Sequence, residues 1–99
     1  MVNEKAIEQI SAVVTALRAN GFESLAEAAV FLTAARATLD GEHCGVPEII
    51  RAAQLPNNTV SRLVWVLSRR GLFDCERDDG GSRITRVFAK LEAFRWSRA

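Results

Sequence analysis

The side chains able to do chemistry fall into three groups. His43, Cys44 and Cys75 are donors of the kind that hold zinc, but three donors with no close Cys-x-x-Cys pair make a poor zinc signature. They read as two semi-buried thiols and a surface imidazole, so no metal is expected. Asp74, Glu76, Asp78 and Asp79 crowd into "DCERDD", without the histidine or paired base that acid–base transfer needs. Their expected work is to cap a turn and pair with Arg77 and Arg83. The third group is "NNTVSRLVWVLSRR". Taken as a helix, it puts four hydrogen-bonding side chains, Asn57, Asn58, Thr59 and Ser61, at a helix start, where free backbone N–H groups favour phosphates or base edges. Arg62 lies one turn further in, within reach of a guanine edge or a phosphate.

At about 100° per residue, Val60, Leu63, Val64 and Leu67 of this stretch gather into one apolar stripe, and Asn58, Arg62, Trp65 and Arg69 fall opposite. A tryptophan on the polar side is a large exposed apolar group, which single domains avoid unless something binds there. Arg69 and Arg70 are also explained by a solvated helix C-terminus.

The rest of the chain must position this helix. "NEKAIEQISAVVTALRANGF" predicts a helix over residues 3–19, with Asn3 as cap, Ile7, Ile10, Val14 and Leu17 at helical spacing, and Asn20-Gly21 as stop. Ser24 with Glu27 forms a capping box ahead of a second helix, in which Leu25, Ala28, Ala29, Leu32 and Leu39 are expected to bury one side, widened by Val30 and Phe31. Asp40-Gly41 ends it. Residues 44–46 suggest a brief strand, and Pro47 fits the first turn of a third helix over 47–54. Leu55-Pro56-Asn57 makes a turn, and the fourth helix runs over 58–70 to Gly71. "LFDCERDDGGSRITRVF" reads as a hairpin turning at residues 78–82. A last helix is expected over about 86–97, with Val87, Leu91 and Phe94 on one side.

Ninety-nine residues with ordinary globular composition make one domain. Thirteen basic and twelve acidic residues nearly balance, yet the charge is polarised. Residues 1–54 hold four bases and seven acids, net −3, whereas residues 55–99 hold nine bases and five acids, net +4. The basic half carries the third group, which favours an anionic partner. No apolar run reaches the roughly 18 residues of a membrane span, and the N-terminus lacks a basic-then-apolar segment, so a cytoplasmic protein is expected. No Gly-rich phosphate loop or nucleophile elbow is present; neither catalysis nor a cofactor is expected.

Two short helices joined by a tight turn and followed by a hairpin describe a winged helix-turn-helix: mainly α, with a small β-hairpin wing. "VPEIIRAAQLPNNTVSRLVWVLSRRGLF" resembles the MarR-type transcription regulators, in which a "V-x-E-L-A" helix is followed by a turn, a "T-V-S-R-L-V" recognition helix and "R-G-L-V". Val46, Glu48, Ile49, Thr59, Val60, Ser61, Arg62, Leu63, Val64, Leu67, Arg70, Gly71 and Leu72 match that pattern, and the resemblance covers residues 24–87. It implies a sequence-specific regulator of double-stranded DNA, a dimeric repressor, contacting DNA through Asn57, Asn58, Thr59, Ser61, Arg62, Trp65, Arg69 and Arg83. "DDGGSR" resembles the family's wing turn, with Arg83 at its second basic position. Gly81 stands where another arginine is common, leaving Arg83, with Arg77 and Arg86, to grip the minor groove.

Trp65-Val66 replaces residues that the family keeps polar. Facing DNA, Trp65 would lie on sugars or thymine methyls. In a protein-interaction module, the alternative reading, Trp65 and Val66 would centre an interface rimmed by Arg62 and Arg69. Folded back, the ring would cover a neighbouring element. Family members interlock longer terminal helices, so a homodimer is expected here through the helices at 3–19 and 86–97, with Phe88, Phe94 and Trp96 in excess of one small core.

Overall fold

The computed structural model of the chain describes residues 3–78, 81 and 83–95. Four helices come first: α1 (Glu4–Ala19), α2 (Leu25–Asp40), α3 (Val46–Ala53) and α4 (Asn57–Arg69). Two antiparallel strands, β1 (Phe73–Arg77) and β2 (Ile84–Ala89), follow as a hairpin, and a single 3-10 turn (Leu91–Ala93) closes the described chain. The molecule is thus mainly helical with one small hairpin. No described helix is long and apolar enough to cross a membrane.

Local signals set the helix ends. Asn3 accepts from the Ala6 N–H at 2.8 Å and Ser24 from the Glu27 N–H at 3.1 Å, each satisfying a donor that the first helical turn leaves open. The second half of the Ser24 box is replaced, because the Glu27 carboxylate turns to Arg70 at 3.1 Å. At α3 the roles reverse. Gly45 has no side chain to offer, and Glu48 Oε1 instead accepts from the Gly45 N–H at 2.7 Å, which holds the Glu48 carboxyl below its ordinary range. The turn between α3 and α4 uses Gln54 in the left-handed region at φ 56°, and α4 begins at Asn57 behind Pro56.

The core sits where α2, α3, α4 and β2 meet. Ile49, Leu67, Val30, Val60, Val64 and Val87 are fully enclosed, and Phe31 is ringed by Phe22, Phe73 and Phe94 at 5.1 to 5.9 Å. The hairpin is fastened from both sides. Cys44 accepts from the Val87 N–H at 2.7 Å, and Thr38 Oγ1 from the Ala89 N–H at 2.9 Å. Only Ala16 and Leu17 of α1 are buried; its first turns project from the body, and the molecule measures 50 × 27 × 25 Å.

Three sequence expectations are corrected. Residues 84–89 are strand, so no helix begins at 86: Val87 and Ala89 are buried while Arg86 and Phe88, on the other face, are only half-buried, an alternation of period two. Leu91 and Phe94 reach the core across the 3-10 turn instead. Residues 96–99, with Trp96, lie outside the described residues. In α2 the buried set is Ala28, Val30, Phe31, Ala34 and Ala35, while Leu25, Leu32 and Leu39 are exposed. That helix is apolar on nearly every side, so periodicity does not choose its inner face, and the alanines permit the closer approach. Residues 44–46 form no strand; Val46 already opens α3.

Candidate nucleic-acid interface

The stripe Val60, Leu63, Val64 and Leu67 is buried, as helical spacing requires, and it fixes the rotation of α4. Asn57, Asn58, Ser61, Arg62, Trp65 and Arg69 therefore stand on its exposed side. Thr59 is half-buried, turned partly toward the body. Trp65 is 50% exposed and does not fold over another element. The Arg69 guanidinium covers its ring instead, 4.8 Å from the centroid, a cation–π contact that holds both side chains one turn apart.

The hairpin stands across from this face. A cleft of about 520 Å³ runs between them, with Asn57, Ser61 and Trp65 on the α4 side, Arg77, Arg83 and Ile84 on the hairpin side, and Val46, Pro47 and Ile50 of α3 as its floor. The Ser61 hydroxyl donates to Asn57 Oδ1 at 3.2 Å, which orders the first turn of α4. Arg77 and Ile84 are cross-strand partners beside an irregularity in register at Glu76/Arg77; such a bulge increases local twist and re-aims side chains. The Asp78 N–H to Arg83 carbonyl bond at 3.0 Å and the Gly81 N–H to Asp78 carbonyl bond at 2.9 Å close the tip, where Gly81 has φ 106°.

Of the residues singled out in the sequence for DNA contact, Asn57, Ser61, Trp65, Arg77 and Arg83 share this cleft. Asn58, Arg62 and Arg69 continue the same exposed face beyond it. Arg86 is not at the tip; its guanidinium lies on the Phe88 ring at 4.6 Å. Arg70, next to Arg69 in sequence, points the other way. It bonds the Asn20 carbonyl at 2.6 Å, pairs with Glu27 and stacks on Phe22. The apolar floor and Ile84 were not legible beforehand, because neither lies on the helix that drew attention.

The other chemical groups do not converge. Among the described residues, no three His, Cys, Asp or Glu side chains come together as metal ligands. Burial pushes the thiols of both Cys44 and Cys75 up from their ordinary range, with Glu48 adding to the effect at Cys44, and a raised thiol is a poor nucleophile. Asp79 and Ser82 lie outside the described residues. No family model, curated protein or solved structure matches the chain.

Proposed function

We propose that the protein is a winged helix-turn-helix regulator of the kind the MarR-type resemblance implies, a cytoplasmic repressor that binds double-stranded DNA in a sequence-specific manner and has no catalytic activity. The observation that carries this reading is the shared cleft: the polar, exposed side of α4 and the arginines of the hairpin border one open space. A helix and a basic ribbon so arranged fit a major groove and the backbone beside it. In this reading Asn58, Ser61 and Arg62 reach base edges, Trp65 packs on sugar or thymine methyl groups, and Arg83 follows the flanking strand. Two copies reading a pseudo-palindromic site would set their α4 helices about 34 Å apart.

A second reading, a protein-interaction module, is favoured by the apolar share of the same cleft. Half-exposed Trp65, Val46, Ile50 and Ile84 are the makings of an interface centre, and Arg69 would be its rim.

One titration separates the two. Fluorescence anisotropy of a labelled random-sequence duplex at about 50 and 200 mM salt is expected to show binding that falls at least tenfold between the salts. Arg62→Ala is expected to weaken it further while the fold, read by circular dichroism, is kept. Absence of binding at the lower salt defeats the DNA reading and makes Trp65 the bait residue for a protein partner.

A further inference from the structure

Of the seven large apolar side chains exposed among the described residues, Trp65 alone lies outside α1 and α2. Its direction is fixed by what the same helix buries. Val60, Leu63, Val64 and Leu67 define the inner face of α4, and at about 100° per residue Trp65 points within about 30° of the opposite direction. Asn58, Arg62 and Arg69 share that outward line, whereas Ser61 leans toward the hairpin and borders the cleft. The Arg69 guanidinium lies over one face of the indole, so a partner meets the other face and the ring edge.

When a helix enters a major groove, side chains on its outward midline meet the floor and those on its flanks meet the sugar–phosphate walls. Ser61 and, across the cleft, Arg83 stand on one such flank; Trp65 does not, which removes the sugars as its contact. The floor is almost wholly polar. Guanine and adenine present N7 with O6 or an N6 amino group, cytosine presents an N4 amino group, and an apolar group occurs only at the C5 position of a pyrimidine. An indole pressed on the polar edges strips their water and returns at most one hydrogen bond, from its Nε1–H. Pressed on a C5 methyl group it forfeits none and buries apolar surface on both sides.

We infer that Trp65 is a reader of the pyrimidine 5-methyl group, so that α4 prefers thymine at one position of its duplex and treats 5-methylcytosine there as it treats thymine. The consequence goes beyond sequence preference: methylation of a cytosine at that position supplies the group the indole needs, leaves base pairing unaltered, and converts a poor site into a good one. Arg62 stands three residues and about 4.5 Å earlier along the axis, facing a different base pair, so its contribution does not depend on the methyl group. The inference rests on the DNA reading of α4 and deepens it.

The test uses the full chain and a duplex that it enriches from a random-sequence pool at about 50 mM salt. Each thymine of the enriched sequence is replaced in turn by deoxyuridine, which removes the methyl group and keeps every hydrogen-bonding group, and binding is read by fluorescence anisotropy. One replacement is expected to weaken binding about fourfold, the worth of one buried methyl group. Trp65→Ala, with an unchanged circular dichroism spectrum because the side chain is exposed, is expected to bind the thymine and deoxyuridine duplexes equally. Arg62→Ala is expected to bind both more weakly and to keep the fourfold ratio. Cytosine and 5-methylcytosine, each paired with guanine, are then compared at the same position, with a similar advantage expected for the methylated base. Equal binding of those two overturns the claim for methylated DNA. Deoxyuridine without effect at every thymine, or an effect that survives Trp65→Ala, overturns the inference while duplex binding still supports the regulator reading. Failure to enrich any duplex overturns that reading, and the inference falls with it.

Discussion

Helices α1 and α4 are amphipathic by the same arithmetic, with apolar residues at intervals of three and four, and they meet opposite fates. The stripe of α4, Val60, Leu63, Val64 and Leu67, is enclosed by the body. Ile7, Ile10 and Val14 of α1 face outward. Periodicity therefore specifies which residues need covering and says nothing of what covers them. The polar sides differ as well: that of α4 borders a cleft with arginines on its far wall, while that of α1 carries Glu4 and Arg18 at its two ends.

The contrast is broken most severely in the core. Leu67→Ala, in a fully enclosed position, is expected to lose about 2–5 kcal/mol of unfolding free energy, measured by urea titration. Ile10→Ala under the same conditions is expected to stay within about 0.5 kcal/mol. Equal losses would mean that α1 folds against its own body. A smaller effect sharpens the comparison between neighbouring arginines. Arg70→Ala removes the Glu27 pair, the Asn20 carbonyl bond and the Phe22 stacking, and is expected to cost about 1–2 kcal/mol because the group is only partly shielded from solvent. Arg69→Ala, which gives up an exposed stacking contact on Trp65, is expected to cost no more than about 0.5 kcal/mol in stability. Its effect belongs to binding at the α4 cleft.

Much of this was legible in the sequence, for physical reasons that differ from element to element. Asn3 and Ser24 announce helix starts because their side chains bond backbone donors that nothing else satisfies. The exposed face of α4 was legible because Asn58, Arg62 and Arg69 fall opposite the apolar stripe, and Trp65 alone breaks that division. Where every face is apolar the information is missing: α2 hides alanines and shows leucines, a choice made by packing distance rather than by hydrophobicity. Val87, Leu91 and Phe94 mislead for another reason, since their spacing suits a helix and equally suits a strand residue followed by a turn that folds back on the core. The candidate site was half legible. Its helical wall came from one continuous stretch, whereas Val46 and Ile50 join it through the packing of α3 on α4 and Ile84 through the hairpin's return.

The corner at Asn20 has a consequence for the order in which the chain assembles. Its carbonyl holds Arg70, 50 residues away, and its side-chain amide both donates to the Arg95 carbonyl and accepts from the Arg95 N–H, 75 residues away. The bonds to Arg95 close a longer loop than the 51 residues between Thr38 and Ala89 that fasten the hairpin to α2, and their entropic cost must be met before they return anything. The expected nucleus is therefore α2, α3, α4 and the hairpin, with Asn20 a latch expected to close after the rate-limiting step. Asn20→Ala should leave the refolding rate nearly unchanged in stopped-flow measurements and accelerate unfolding instead.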